Sequence, residues 1–421
     1  MHTDRDYPVV VAGRTLFFGN NVDNHVYAID TRTAEERWRF AADGSIRFAP
    51  VVHGGRLFFG SDDGHVYCLD ASDGSLVWKY RAGPSGERVI GNSRMISLWP
   101  VRTGLLMEGG TLYLAAGIFP YEGLYVAALE AKTGREIWLN DTSGDQAWGH
   151  QYGGMAPQGY LVASADNLYV PTGRGMPAAF DKRTGKFKKF LHAGGKVGGA
   201  WVQMAGDELY AGNDNQGADT KITFDATSGA NRGDQFASFP SIDMVMTEEV
   251  AYLATQKGLY AIDRAANAKA TADVPKLNKE ETAMVKSIAE IRDRHKAAAK
   301  AGNADDLAKA TTELNQATGR LTVISKEKEA LNAARVKWFM AREQLGPLAV
   351  VGELGPMALA GQTLFAGGNG YTVSLDAKTG RLISIYGVNG TVMSLAVADE
   401  RLFVSTNLGE IHCLGAEDAP P

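Results

Sequence analysis

The residues with chemical potential lie in a few glycine-rich stretches. "RAGPSGERVIGNSRMISL" (81–98) carries Arg88, Asn92 and Arg94, with Trp99 just beyond it. "GIFPYEG" (117–123) carries Tyr121, and "NDTSGDQAWGHQYGGMA" (140–156) carries Asp145, Trp148, His150 and Gln151. "TGRGMP" (172–177) holds Arg174, and "HAGGKVGG" (192–199) holds Lys196, with Trp201 two residues on. Cationic donors mixed with aromatic rings suit an anionic, sugar-like or quinone-like small molecule. Arg88, Arg94 and Arg174 are the sharpest carboxylate readers of the set. A plainer use competes: arginines and acids in such loops also pin the loops to one another. His150 alone fits a loop hydrogen-bonder better than a base.

A metal site is the next possibility. "GNDNQGAD" (212–219) offers Asn213, Asp214, Asn215 and Asp219, oxygen ligands of the kind calcium prefers. Its spacing is not that of an EF-hand, and such clusters are also ordinary turn sequence. No His/Cys cluster has zinc spacing. There is no Walker A motif, no GxGxxG after a strand and no nucleophile elbow. A formal net charge of -5 over 421 residues gives no electrostatic case for nucleic acid or an anionic membrane. No run reaches the roughly 18 apolar residues of a membrane span. The opening "MHTDRDY" lacks the pattern of a signal peptide and reads as the start of a cut piece.

The elements that position these loops come from a repeat. "GGRLFFGSDDGHVYCLDASDGSLVWKY" (54–80) sets it, and 13–40 and 109–138 match it closely. Looser copies run over 166–187, 207–230, 250–263, 361–382 and 400–415, eight in all. Each is a set of short β-branched or aromatic runs broken by Gly, Asp and Asn, which is strand and turn chemistry. Four strands in roughly 40 residues make a propeller blade. The predicted fold is all-β, an eight-bladed propeller of four-stranded blades. The Asp and the "DG" or "TG" make the turn between third and fourth strands. The Trp that follows (Trp38, Trp78, Trp138) is placed on the outer strand to pack on the next blade. Lys188 stands where the fourth copy should have this Trp, the fifth has Gly229 and no Trp, and the seventh ends in Ser384. The last copy lacks an outer strand, which residues before Tyr7, or residues outside this chain, would supply.

The long loops all join second to third strands, or a fourth strand to the next first strand. They therefore fall on one face of blades 2 to 6, the natural place for a binding site. Cys68 and Cys413 sit at equivalent strand positions, read as small buried apolar residues too far apart for a disulfide.

Between "GLYAID" (258–263) and "KWFMA" (337–341) the composition changes to Ala, Lys and Glu, the helix formers. Met284, Ile288, Ile291, Leu307, Leu314, Leu321, Ile324 and Leu331 recur at helical spacing, and "AGNADD" offers Asn303 or Asp305 as an N-cap. The expected result is an inserted antiparallel α-helical hairpin leaving the face opposite the long loops. The domains expected are 1–271 (blades 1 to 6), 272–335 (hairpin) and 336–421 (the rest of the propeller). The hairpin is a self-packed spur or an arm for a partner or for self-association.

The repeat resembles the tryptophan-docking repeat of the PQQ-like (quinoprotein-type) β-propeller family, over most of the chain outside about 270–340. "LWPVRTGLLMEGGTLYLAAG" (98–117) and "MAPQGYLVASADNLYVPTGR" (155–174) also resemble large secreted planctomycete-type propeller proteins. The resemblance implies a periplasmic or extracellular place. Dehydrogenases of the family hold PQQ over calcium or a lanthanide, many beside adjacent cysteines; this chain has 2 Cys, far apart, and no CxxCH. Three readings follow: a non-catalytic propeller binding a small molecule or protein at its rim, a PQQ- and calcium-dependent dehydrogenase of alcohols or sugars, or an interaction scaffold like the outer-membrane assembly lipoproteins of this fold.

Overall fold

The computed structural model describes residues 8–91, 93–144, 147–148, 152–153, 155–173, 175–192, 199–212, 221–345 and 354–415. Six antiparallel four-stranded sheets follow one another along the chain, over 9–41, 51–81, 106–140, 162–190, 201–234 and 241–341. A six-stranded sheet over 357–414 comes last. Within each of the seven, strands pair in sequence order, and the third-to-fourth connection of the sheet over 241–341 is the one that carries two helices.

The last sheet departs from eight separate four-stranded copies. Leu382–Ala398 is a single strand of 17 residues. Its first half pairs with Asn369–Asp376 and its second half with Arg401–Thr406. One strand thus serves as the outer strand of one copy and the inner strand of the next. The final copy has three strands among the described residues.

The third strands of the middle sheets are buried along much of their length, because a neighbouring sheet covers each face. In His65–Asp70 the central Val66, Tyr67, Cys68 and Leu69 are all buried. Outer strands are mostly solvated; in Glu36–Ala41 only Trp38 is buried. Phe58, Leu112 and Leu114 fill the layer between the second and third sheets, and Leu168, Val170 and Phe180 join Val126 between the third and fourth. Val9 and Leu16 of the first sheet pack on Phe403 of the last, so the succession of sheets closes on itself. At about 25 cal/mol per Å² this layering is the main stabilising term of the fold.

The outer-strand tryptophans lock consecutive sheets. Trp38 Nε1 donates to Ala71 O at 3.2 Å, Trp78 Nε1 to Ala131 O at 3.1 Å and Trp138 Nε1 to Lys182 O at 3.1 Å. Each indole lies on the turn glycine of the next sheet: a Cβ on Gly74 would sit 2.6 Å from the Trp38 ring, and one on Gly134 2.7 Å from the Trp78 ring. Register corrects the fourth copy. Trp38, Trp78 and Trp138 face Ala28, Cys68 and Ala128, and the residue in that place in the fourth sheet is Lys189, facing Ala179, rather than Lys188. Lys189 Nζ donates to Ser228 O, and its stem covers Gly229.

The chain forms two compact units. The first is Met1–Met246, Leu253–Leu259 and Met340–Pro421. The second, Thr247–Tyr252 and Tyr260–Phe339, is dominated by helices α1 (Arg264–Ala301) and α2 (Ala304–Arg335). The α1 helix starts directly at the end of a strand, eight residues before the expected 272, because Asp263 caps it by accepting from Ala266 N. Asn303 caps α2 by accepting from Asp306 N, which decides between the two expected caps. Ile288, Ile291, Ala310 and Ala317 form the seam between the helices, with Met284, Leu314 and Leu321 against it. Among the described residues no helix is long and apolar enough to cross a membrane.

Candidate functional site

The long loops of the first unit leave the same ends of their sheets, as strand order requires: each joins a second to a third strand or a fourth strand to the next first. The loop after the second sheet folds into a small hairpin, Arg88–Gly91 against Arg94–Ser97, with Ile90 opposite Met95 and Val89 opposite Ile96. The two pairs face opposite ways. Ile96 is 2% exposed and turned inward, whereas Ile90 is 75% and Met95 53% exposed.

Two of the expected ligand readers, Arg94 and Trp99, join loops to one another. Arg94 Nη1 donates to Asn21 O at 2.8 Å and lies 3.3 Å from both Asn24 Oδ1 and Ser45 Oγ, tying the hairpin to the loop of the first sheet. Trp99 is buried; its Nε1 donates to Glu122 O at 2.5 Å and its ring meets Tyr125 edge-on. That bond holds the loop in which Tyr121 stands 91% exposed, beside a partly exposed Phe119. Val22, 61% exposed, lies one residue past the carbonyl that Arg94 grips. Three tethered loops therefore carry exposed Val22, Ile90, Met95, Phe119 and Tyr121. Scattered single apolar residues need no explanation, but several on rigidly joined neighbouring loops do. Arg88 is exposed at the hairpin's base.

A second arrangement escaped the sequence reading. Asp62, 0% exposed, accepts from Arg47 Nε at 2.8 Å and from Arg102 Nε and Nη2 at 2.9 and 3.1 Å. Two guanidiniums on one buried carboxylate join three loops. The neighbouring Asp63 is also buried and accepts from the Tyr67 hydroxyl and from His65. Both arginines are engaged by Asp62, and Asp63 is engaged by His65 and Tyr67, so the cluster joins loops to one another. Its one sequence signal is position: Arg47 and Arg102 each stand four residues before a first strand.

Trp201 reaches a cavity of about 350 Å³, within the range of small-molecule sites. Lys221, Ile242, Asp243, Leu354 and Val392 are among the other residues of its walls. Lys221 is 8% exposed; its Nζ donates to Ser241 O and lies 5.6 Å from the Trp201 ring centroid. Asp243 accepts from Met357 N at 2.7 Å and Met244 N at 2.8 Å. Burial pushes the Asp243 carboxyl upward, opposed by those two amides and by Lys221. Asp234 is pushed the same way, again with Lys221 opposing.

Asn92, His150, Gln151, Arg174 and Lys196, and the four calcium-type residues Asn213, Asp214, Asn215 and Asp219, lie outside the described residues, as does Asp145. Trp148 pairs with Tyr152 in a two-residue strand. Among the described residues no group of three or more His, Cys, Asp or Glu is placed to hold a metal ion.

The fold and the repeat agree with known proteins. Residues 3–143 and 125–392 match the family profile PQQ_2, described as outer membrane protein assembly factor BamB. Quinohemoprotein alcohol dehydrogenase ADH-IIG of Pseudomonas putida is 28% identical over 152 residues, 35% of this chain and 20% of that protein. Outer membrane protein assembly factor BamB of Pseudomonas aeruginosa is 29% identical over 136 residues, 32% of this chain and 30% of that protein. The matched segments thus span under a third of either relative. The solved quinohemoprotein alcohol dehydrogenase of Comamonas testosteroni superposes with a TM-score of 0.54 at 13% identity, covering 96% of this chain and 71% of that one. This chain belongs to the PQQ-like repeat family of β-propellers.

Proposed function

We propose that this propeller is a non-catalytic binding protein of the periplasm or cell surface that docks a protein partner on its loop face. The proposed architecture is eight blades, the last two sharing the strand Leu382–Ala398. The observation that carries the reading is the rim hairpin, which buries Ile96 and presents Ile90 and Met95 to solvent, on the same loop face as the exposed Tyr121. Exposed apolar and aromatic side chains on pre-tethered loops lose little entropy on binding, which is what an interface hot spot requires. The match to a family described as an assembly factor supports a protein partner.

A photoreactive amino acid in place of Ile90, in cells, tests this. The expected result is one dominant cross-linked adduct that Met95→Asp removes. Cross-linking no stronger than from a control position such as Lys132 would sink the reading.

The resemblance to quinoprotein dehydrogenases implies a second ligand, PQQ with calcium. The donor set of the described cavity does not fit it. PQQ is a tricarboxylate, and Lys221, the cation in the described wall, already opposes two carboxylates, Asp243 and Asp234. We derive no chemical step through it. Calorimetric titration with PQQ, with and without Ca²⁺, decides: no heat of binding agrees with the charge argument, and saturable 1:1 binding overturns it.

A further inference from the structure

We infer that the helical hairpin is a self-association arm, and that a second copy of this chain docks in a groove between α1 and α2. The groove, about 570 Å³, runs along one side of the two helices toward the residues where α1 begins and α2 ends. Its floor is Leu277 of α1 and Leu331 of α2, both only half-buried. Ala266, Ala330 and Ala334 line it without filling it, so helix backbones can approach closely.

The hairpin has an internal seam that is already satisfied. Ile288, Ile291, Ala310, Ala317 and Ile324 are buried between the helices. Beyond the groove the two helices are closed by ion pairs, Glu280 with Arg320 at 2.7 Å and Arg294 with Glu313 at 2.5 Å. The groove is different: its two rims carry charge of opposite sign with no bridge across it among the described residues. The α1 rim has Lys269 and Lys276, the latter paired along its own helix with Asp273 at 2.8 Å. The α2 rim has Glu327, which lies 3.4 Å from Arg320 of its own helix, an exposed pair that a partner's lysines can replace.

Opposite rims choose the occupant. In a two-fold contact the α1 of one copy lies against the α2 of the other, and the reverse contact repeats it. The lysine rim of each copy then meets Glu327 of its partner, and the leucines of four helices meet between alanines, at the crossing geometry helix bundles use. The groove spans about three helical turns, roughly 18 Å. A contact that short buries area at the small end of specific interfaces, so the association is weak and concentration-dependent.

Sedimentation velocity on the full chain tests this over roughly 1–100 µM, the range in which a weak dimer dissociates. The expected result is a monomer–dimer shift that weakens with added salt. Lys269→Glu with Lys276→Glu should abolish it, and mixing that variant with Glu327→Lys should restore a heterodimer. The rim charges are exposed, so these variants keep the fold, as far-UV circular dichroism checks. A monomer throughout the range overturns the inference, as does a dimer that the charge reversals leave unchanged. Ile90→Asp should have no effect here, which separates this surface from the rim.

Discussion

At the scale of single residues, the turn between third and fourth strands is where the repeat is enforced. Gly74, Gly134, Gly185 and Gly229 all have positive φ, and each lies under a side chain from the preceding sheet. The first sheet has Ala34 in that place, at φ 58, and it is exposed. No outer strand of the last copy covers it among the described residues, so its Cβ meets no indole. Instead Arg401 Nη1 donates to Thr31 O at 3.1 Å, the carbonyl equivalent to those the tryptophans use. Two substitutions should therefore move stability in opposite directions. Ala34→Gly relieves left-handed strain and should stabilise by about 1 kcal/mol. Gly74→Ala adds the strain and a clash with Trp38, and should cost about 2–4 kcal/mol. Urea midpoints measure both, and equal midpoints would refute the account.

The turn acids add a pH dependence of definite sign. Asp225 accepts from the Ser228 amide at 2.7 Å and its hydroxyl at 2.9 Å, with Arg232 alongside. The Ser228 amide first, then its hydroxyl, holds the Asp225 carboxyl down at about 2, below an unfolded value near 3.9. Its stabilising effect is present above about pH 4 and is lost as pH falls through about 2. Asp225→Asn should thus be less stable than the parent at neutral pH, with the gap closing toward pH 2 in chemical-unfolding curves. A gap that is constant with pH would remove the carboxylate from the explanation.

At the scale of elements, register and spacing agree in the sheets, while the helices need both. Third and fourth strands meet at an irregularity between Ala128 and Leu129, and again between Ala179 and Phe180. The irregularity falls at the same place in the first four sheets, so the spacing from the turn acid to the tryptophan's place is the same in each, Asp30 to Trp38, Asp70 to Trp78, Glu130 to Trp138 and Asp181 to Lys189. In the helical hairpin, periodicity located the seam, but the polar closure needed coordinates. Arg335 is 7% exposed and its Nε donates to Asn267 Oδ1 at 2.8 Å, 68 residues away in sequence. Asn267→Leu removes that acceptor from a buried guanidinium and should cost about 1–3 kcal/mol, whereas Asn267→Asp should be tolerated. Urea unfolding followed by far-UV circular dichroism compares them; equal losses would mean the amide acts by volume alone.

At the scale of the whole molecule, equivalent sequence positions meet different surroundings. Cys68 and Cys413 are both free thiols on third strands. Cys68 is fully buried between sheets, and burial pushes its thiol up to about 12. Cys413, expected to be buried too, is exposed, because it lies on the last strand of its sheet with nothing described beyond it. The native protein should consume one equivalent of thiol reagent and the denatured protein two; two in the native state would contradict this placement.

The sequence by itself determined the elements: four-strand units of short apolar runs, glycine turns after an acid, and two helices with a heptad seam. These are local properties, set by alternation, by the φ that a turn demands and by helical spacing. It also placed the elaborate loops on one end of the sheets, since strand order alone fixes that. Only the tertiary structure decided which loop residues face solvent. The carbonyl contacts of Arg94 and Trp99 were not legible in sequence, because a guanidinium or an indole serves a ligand and a backbone carbonyl equally well. Their partners, Asn21 and Glu122, come from other loops, and such long-range pairings are set by how the sheets stack rather than by the residues that make them.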